Sequence, residues 1–86
     1  MPEYTITFAR SARKELQSLP MDVAERLLKK IELLTINARP AGSKKLSGAT
    51  DLWRIGVGDY RVVYKIDDNR RVVDVALVRH RREVYR

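Results

Sequence analysis

Apolar residues recur along the first half of the chain with the period of a helix. Before them, Tyr4 to Phe8 alternates as a short strand. From Phe8 to Leu19 the apolar residues return every three or four positions, which predicts an amphipathic helix that Pro20 ends. Asp22 is the expected N-cap of a second helix. The apolar stripe of that helix consists of Val23, Leu27, Ile31 and Leu34.

The second half of the chain changes to the period of two that strands show. Leu52 to Val57 and Tyr60 to Ile66 alternate on either side of Gly58-Asp59, which suits a two-residue hairpin turn. That turn sets the register, because a slip of one residue would move every side chain to the other face. The predicted pairs are Val57 with Tyr60, Ile55 with Val62, and Trp53 with Tyr64. All six side chains then share one face, which we expect to pack on the helices.

A third strand, Val72 to Val78, follows a second two-residue turn candidate, Asp68-Asn69. The register that this turn predicts pairs Val73 with Tyr64, Val75 with Val62, and Leu77 with Tyr60. Arg79 shares the parity of these core residues, so a regular strand would direct its side chain into the core. We therefore expect a break or a β-bulge at Arg79 that turns its side chain towards Arg61.

Together these elements predict an α+β fold. An N-terminal strand and a helical hairpin precede a three-stranded antiparallel meander, and the helices pack on one face of the sheet. The loop that joins the hairpin to the meander carries Lys44 and Lys45. The chain has no internal repeat and no linker long enough to divide it, so residues 1–86 are expected to form a single domain.

Basic residues are concentrated in the second half of the chain. The formal net charge is +7, and residues 39–86 carry twelve basic and six acidic side chains, against six and five in residues 1–38. Arginine outnumbers lysine twelve to six, and its planar fork matches phosphate better than the lysine ammonium does. These observations favour a polyanionic partner, which is nucleic acid, an anionic membrane or an acidic protein.

The composition excludes several classes of site. The chain has no cysteine and one histidine, which excludes disulfides, thiolate zinc sites and sites built from several histidines. We expect no metal and no cofactor. The sequence shows no apolar run long enough to span a membrane and no basic-then-apolar leader pattern. A cytoplasmic protein without membrane association is therefore expected.

The face of the sheet away from the helices collects basic side chains. Arg54, Arg61 and Lys65 lie on it in the predicted register, and Gly56 lies directly across from Arg61. Ala76 is expected on the other side of Arg61, so that two small neighbours leave this arginine in a shallow concavity. The C-terminal segment RHRREVYR is expected to emerge at the same end of the sheet.

Three stretches of the chain are similar to a known family: KKLSG, DLWRIGVGDYRVVY and the terminal HRREVY. They resemble the RelE family of bacterial toxin endoribonucleases, within the wider RelE/ParE toxin superfamily. The order of strand, helical hairpin and sheet extends the resemblance over nearly the whole chain. It implies cleavage of messenger RNA, typically in the ribosomal decoding site. It also implies neutralisation by a cognate antitoxin, which we expect to be acidic and RelB-like.

The resemblance also implies a set of catalytic residues. Family members use basic side chains on the open face of the sheet together with a tyrosine near the C-terminus. The matching positions here are Arg54, Arg61, Arg79 and Tyr85. Ser47 and Gly56 depart from the pattern, because well-studied members often carry basic residues there. Lys44, Lys45 or Arg81 is expected to compensate for these departures. The expected RNA-binding side chains are these three and Arg82.

The available residue types restrict how such a cleavage would proceed. Attack by the 2′-hydroxyl of the RNA needs a proton acceptor and donors that neutralise charge at phosphorus. With one histidine and no clustered carboxylates, the arginines are expected to supply the electrostatic part. Tyr85 is the expected general base, because surrounding positive charge favours the phenolate of a tyrosine, whose ordinary pKa is about 10. His80 is the competing acid or base, since histidine titrates near neutral pH.

Two other functions are compatible with the same resemblance. A ParE-type inhibitor would bind DNA gyrase without cutting RNA, and an inactive relative would only bind nucleic acid, because one fold serves different functions. The presence of Arg61, Arg79 and Tyr85 together favours the ribonuclease. The departures at Ser47 and Gly56 favour the alternatives.

Overall fold

The computed structural model describes residues 3–46, 48 and 51–84. Its elements are β1 (Thr5–Phe8), α1 (Arg10–Ser18), α2 (Met21–Glu32), a 3₁₀ turn (Leu33–Thr35), β2 (Lys44–Lys45), β3 (Leu52–Val57), β4 (Tyr60–Asp67), β5 (Val72–His80) and α3 (Arg81–Val84). The strands form a five-stranded sheet in the order β1-β5-β4-β3-β2. This is the α+β architecture that the sequence predicts. Among the residues just given, no helix is both long and apolar enough to cross a membrane.

The sequence does not predict the partners of the two outer strands. β1 lies parallel to β5, whereas β2, which the sequence analysis places in a loop, is antiparallel to β3. In this pair Lys44 lies opposite Arg54 and Lys45 lies opposite Trp53. A parallel pair joins segments that are far apart in sequence, and a strand of two lysines shows no apolar alternation. Neither pairing therefore leaves a local signal in the sequence.

Both predicted helices form, and Pro20 separates them. Their most buried residues are Ala12 and Leu16 in α1 and Leu27 and Ile31 in α2. The expectation that Asp22 is the N-cap of α2 is wrong, because Pro20 occupies that position with φ −55° and ψ 147° and Asp22 lies inside the first turn. Proline suits this boundary because it has a fixed φ and no N–H. The Asp22 carboxylate still interacts favourably with the positive end of the helix dipole.

The core lies between the helices and one face of the sheet. Its buried residues include Ala12, Leu16, Leu27, Ile31, Leu34, Ile55, Val57, Val62, Tyr64, Ile66, Val73, Val75 and Val78. Tyr64 is fully buried, and its hydroxyl donates to the Ala38 carbonyl at 2.8 Å. Burial raises the pKa of the Tyr64 phenol, so the group stays protonated and remains a hydrogen-bond donor.

The β3–β4 hairpin confirms the register that Gly58-Asp59 predicts. The observed pairs are Val57 with Tyr60, Ile55 with Val62, and Trp53 with Tyr64. Gly58 has a φ of 60°, a left-handed conformation that glycine adopts without strain. The turn and the alternating apolar residues therefore specify the same pairing, which also places Gly56 directly across from Arg61.

The β4–β5 hairpin differs from the predicted register by two residues. Its loop contains the four residues 68–71, instead of a two-residue turn, and Asp67 lies opposite Val72. Arg71 supplies a left-handed residue in this loop, with a φ of 56°. A shift by two residues keeps every side chain on its own face. The hydrophobic pattern alone therefore does not distinguish the two registers.

A β-bulge at Ala76 divides β5 into two parts. The register of β5 shifts between Val63 and Tyr64 of β4, so that Ala76 has no directly opposite residue on that strand. The hydroxyl of Ser11, in α1, donates to the Ala76 carbonyl at 3.2 Å. The expected bulge at Arg79 is therefore wrong in position, because β5 continues regularly through that residue.

The bulge reverses the parity of the strand. Before it, alternate valines face the core, and after it the fully buried Val78 does. Leu77 and Arg79 lie on the opposite face, where Arg79 is directly across from Arg61. The expectation that Arg79 leaves the core face and joins the face of Arg61 is confirmed, but its guanidinium lies towards Glu15 in α1. The expectations that Leu77 faces the core and that Ala76 flanks Arg61 are wrong.

A polar network ties together the end of the sheet opposite to these arginines. Arg39 donates to both carboxylate oxygens of Asp68, at 2.8 and 3.3 Å, and the Tyr4 hydroxyl donates to the same carboxylate at 2.5 Å. The Arg39 guanidinium also lies over the Trp53 ring, with Cζ 5.2 Å from the ring centroid. Hydrogen bonds from Arg39 and then Tyr4 lower the pKa of Asp68 to about 2. The network connects the residue before β1, the loop after α2 and the β4–β5 loop.

Replacing Asp68 by asparagine is expected to lower the free energy of unfolding at neutral pH and to have less effect in acid. The pKa of Asp68 lies below its ordinary value of 3.8, so the carboxylate stabilises the fold above that value. The contribution disappears as the pH falls towards about 2. Urea unfolding of both proteins at pH 7, 5 and 3 measures the difference, which is also expected to shrink at high salt because the pair is exposed. Glu25→Gln on α2 is the control, and a pH-independent Asp68→Asn difference would contradict the prediction.

Candidate functional site

The open face of the sheet, which lies away from the helices, carries two pairs of like charges. Lys44 lies opposite Arg54, and Arg61 lies opposite Arg79. Like charges directly across from each other destabilise a sheet. Two such pairs on one face give this part of the surface a high density of positive charge, which suits an anionic ligand.

The other end of the open face does not share this excess of positive charge. There Lys65 lies opposite Asp74, and the Thr7 hydroxyl donates to the Asp74 carboxylate at 2.6 Å. Opposite charges across strands are favourable. The positive field of the open face is therefore concentrated around Lys44, Arg54, Arg61 and Arg79.

A cavity of about 280 Å³ lies within the cationic end of the open face. It is lined by Gly42, Lys44, Arg54, Gly56 and Arg61. Nη1 of Arg61 donates to the Tyr60 carbonyl at 3.0 Å and lies 3.5 Å from the Gly58 carbonyl oxygen. Forked guanidinium donors and an ammonium around one concavity match the geometry and charge of a phosphate group.

Arg79 lies beside this cavity without lining it. Its Nη1 donates to the Val78 carbonyl at 3.1 Å and lies 3.9 Å from Oε1 of Glu15 in α1. About a third of each side chain of this ion pair is exposed, so the interaction is weak and screened. Arg79 therefore adds positive charge beyond Arg61, and its guanidinium lies towards the first helix.

His80 lies on the face of the sheet opposite to the cavity. It follows the parity of the buried Val78 and lies across from Tyr60. The two rings meet edge to face, with 5.3 Å between their centroids, and Nδ1 of His80 accepts a hydrogen bond from the Arg82 N–H at 3.3 Å. The structure therefore does not bring His80 together with Arg54 and Arg61.

The remaining predicted RNA-binding residues surround the cavity at a distance. Lys45 has the opposite parity to Lys44 and is exposed on the outer edge of the sheet. Arg81 and Arg82 are exposed in α3, which begins beside the β3–β4 turn because the Arg81 N–H donates to the Asp59 carbonyl at 2.7 Å. The catalytic prediction for Tyr85 and the departure at Ser47 both lie outside the described residues.

The backbone that completes the cavity has no clear pattern in the sequence. Gly42 belongs to the loop before β2, and Lys44 reaches the cavity because β2 pairs with β3. The only sequence signals for this wall are a glycine and two adjacent lysines, neither of which specifies a partner strand. In the part of the chain that the structure describes, no group of three or more histidine or acidic side chains is arranged to hold a metal ion.

Comparison with known proteins gives the same family from sequence and from structure. The model of the ParE toxin of the type II toxin–antitoxin system parDE matches residues 6–85. Toxin RelG of Mycobacterium tuberculosis is 30% identical over 87 residues, which cover 96% of this chain and 97% of that protein.

Solved structures of RelE toxins superimpose on nearly the whole chain. The archaeal RelE–RelB complex of Pyrococcus horikoshii matches with a TM-score of 0.82 and 30% identity over 94% of this chain and 97% of that chain. The isolated E. coli RelE toxin matches with a TM-score of 0.80 and 35% identity over 95% of this chain and 90% of that chain. The chain therefore belongs to the RelE/ParE family of toxins of type II toxin–antitoxin systems.

Proposed function

We propose that this toxin is an endoribonuclease that cleaves messenger RNA bound to the ribosome. The observation that carries the proposal is the cavity between two like-charged cross-strand pairs, Lys44 with Arg54 and Arg61 with Arg79. Cationic side chains that surround one concavity attract a ligand of opposite charge. A backbone phosphate of RNA has the charge that this cavity attracts and is small enough to enter it.

The proposed reaction uses the RNA's own 2′-hydroxyl as the nucleophile. Its oxygen gives its proton to a general base and attacks the neighbouring phosphorus, and the bond from phosphorus to the 5′-oxygen breaks. The 5′-oxygen takes a proton from water, so that a 2′,3′-cyclic phosphate and a 5′-hydroxyl form. Charge that develops on the phosphoryl oxygens is stabilised by Arg54 and Arg61, and Lys44 offers ammonium donors on the third side. No metal or cofactor takes part in this proposal.

Tyr85 is the proposed general base, which takes the proton of the 2′-hydroxyl. The proposal rests on the match of HRREVY to the C-terminal motif of the family and on the positive charge around the cavity. His80 has no part in the proposed mechanism, because it lies on the opposite face beside Tyr60. Arg79, Arg81, Arg82 and Lys45 are proposed to hold the RNA backbone around the site.

The proposed partner in the cell is an acidic, RelB-like antitoxin that covers the cationic face. The RelE neighbour from P. horikoshii was solved as a complex with RelB. The net charge of +7 favours an acidic partner. An antitoxin that covers Arg54 and Arg61 would block access of RNA to the cavity.

Inhibition of DNA gyrase is the second candidate function. The observation that favours it is that the matching family model describes the ParE toxin. The residue at position 56 also favours it, because Gly56 stands where RelE relatives often carry a basic side chain. A gyrase inhibitor would bind its target through this surface without cutting RNA.

A translation extract programmed with one defined message distinguishes the two functions. Mapping of 5′ ends is expected to show cuts at codon positions when ribosomes are present and none in ribosome-free message. Tyr85→Phe is expected to lower the cleavage rate by about 10²–10⁴-fold, the usual contribution of a general base. An uncut message, together with inhibition of plasmid supercoiling by gyrase, would replace the ribonuclease proposal by the gyrase proposal.

A further inference from the structure

Gly56 occupies a strand position at which its own backbone does not need glycine. The glycines with positive φ among the described residues are Gly42, Gly48 and Gly58. Glycine in the interior of a strand costs stability, and it commonly marks a place where another group approaches the backbone closely. A residue that approaches the backbone closely would therefore explain the glycine at position 56.

The group that approaches Gly56 is the guanidinium of Arg61. A Cβ atom added to Gly56 would lie 2.9 Å from Nη1, 3.2 Å from Cζ and 3.6 Å from Nε of Arg61. Real Cβ atoms essentially never come within 3.0 Å of another heavy atom, so even alanine would displace the guanidinium, which can shift at low cost because it ends a flexible side chain. The Arg61 side chain thus lies flat across β3, over the space that a side chain at position 56 would fill.

Backbone carbonyls of the β3–β4 turn hold the guanidinium in this position. Nη1 of Arg61 donates to the Tyr60 carbonyl at 3.0 Å and lies 3.5 Å from the Gly58 carbonyl oxygen. Both Gly56 and Arg61 line the cationic cavity, together with Arg54 on the same strand as Gly56. The absence of a side chain at position 56 therefore determines where the Arg61 donors stand relative to Arg54 and Lys44.

We propose that Gly56 is a positioning residue, which orients the Arg61 guanidinium to bind the phosphate of RNA in the cavity. The inference rests on the proposed function and explains the departure of position 56 from the basic residues of relatives. The Arg61 guanidinium takes the space of the missing basic side chain, and Lys44 on β2 brings a further cation to the cavity. Since small displacements of catalytic donors lower rates strongly, a single methyl group at this position is sufficient to test the inference.

The test compares Gly56→Ala and Gly56→Val in the native chain and in an Arg61→Ala background. The Arg61 background is the matched control, because it accepts the same added atoms without a guanidinium to displace. Three readouts are used: the Nε–Hε resonance of Arg61 in NMR spectra, the affinity for a short 2′-O-methylated RNA that resists cleavage, and the thermal midpoint of unfolding. The first two do not depend on RNA cleavage, so they decide the inference even if the ribonuclease proposal fails.

In the native chain, Gly56→Ala is expected to move the Arg61 resonance and to weaken RNA binding about tenfold, the effect of losing one charge-assisted hydrogen bond. Gly56→Val is expected to weaken binding further, and the thermal midpoint of the alanine variant is expected not to fall. In the Arg61→Ala background the same substitutions are expected to leave the affinity unchanged. An unmoved Arg61 resonance, an unchanged affinity in the native chain, or an equal weakening in both backgrounds would each overturn the inference.

Discussion

Arg61→Ala is expected to lower the rate of messenger RNA cleavage by about 10²–10³-fold, the cost of removing one preorganised donor from a charged transition state. We expect this large effect because Arg61 lines the cavity beside Arg54 and backbone carbonyls at the β3–β4 turn hold its guanidinium. Arg61→Lys keeps the charge and loses the planar fork, so an intermediate rate is expected. Single-turnover cleavage on programmed ribosomes measures the three rates.

The same substitution is expected to leave the fold intact. Arg61 lies opposite Arg79, and removing one of two like charges relieves their repulsion across the strands. The substitution also removes the hydrogen bond from Nη1 to the Tyr60 carbonyl, so the thermal midpoint of Arg61→Ala is expected to stay close to that of the native chain. Lys29→Ala, a charge change on the exposed side of α2, is the control and is expected to keep the native rate. Full activity of Arg61→Ala would show that Arg61 has no catalytic role.

The β3–β4 hairpin is predictable from sequence because independent local signals agree on it. Gly58 supplies the positive φ that a two-residue turn needs. The alternating apolar residues of both strands reach the core face in that register and in no register shifted by one residue. Three of the five residues that line the cavity follow from this, because Arg54, Gly56 and Arg61 belong to the hairpin.

The rest of the site depends on contacts that leave no local pattern. Lys44 reaches the cavity through β2, a two-residue strand whose partner is determined by the loops around it. His80 lies on the other face because the parity of β5 changes within the strand. A regular β5 would place His80 on the open face, and a loop around Lys44 would leave its partner strand undetermined, although the positive charge of the surface as a whole is predicted.

The sequence does predict an irregularity in β5, because Arg79 has the parity of the core residues. A strand of constant parity would bury an arginine, so an irregularity is required. The sequence does not give its position, because a bulge at Ala76 and a bulge at Arg79 both redirect Arg79. The choice between them depends on α1, whose Ser11 hydroxyl donates to the Ala76 carbonyl, and on the burial of Val78.

Val78→Asn is therefore expected to destabilise the protein by about 3–5 kcal/mol, and Leu77→Asn by much less. Val78 is fully buried against the helices, so the substitution loses the burial of a valine and leaves a buried amide without partners. Leu77 lies on the open face opposite Val63 and is partly exposed, where an amide contacts water. Urea unfolding at neutral pH measures both free energies.

The two neighbouring substitutions distinguish the bulge at Ala76 from one at Arg79. If β5 kept its parity through Ala76, Leu77 would face the core and the order of the two effects would be reversed. The bulge also contributes to the cationic surface, because the same change of parity places Arg79 across from Arg61. Leu77→Asn is therefore expected to fold and to retain the cross-strand pair of arginines, whereas a loss of stability greater than that of Val78→Asn would show that Arg79 reaches the open face by another route.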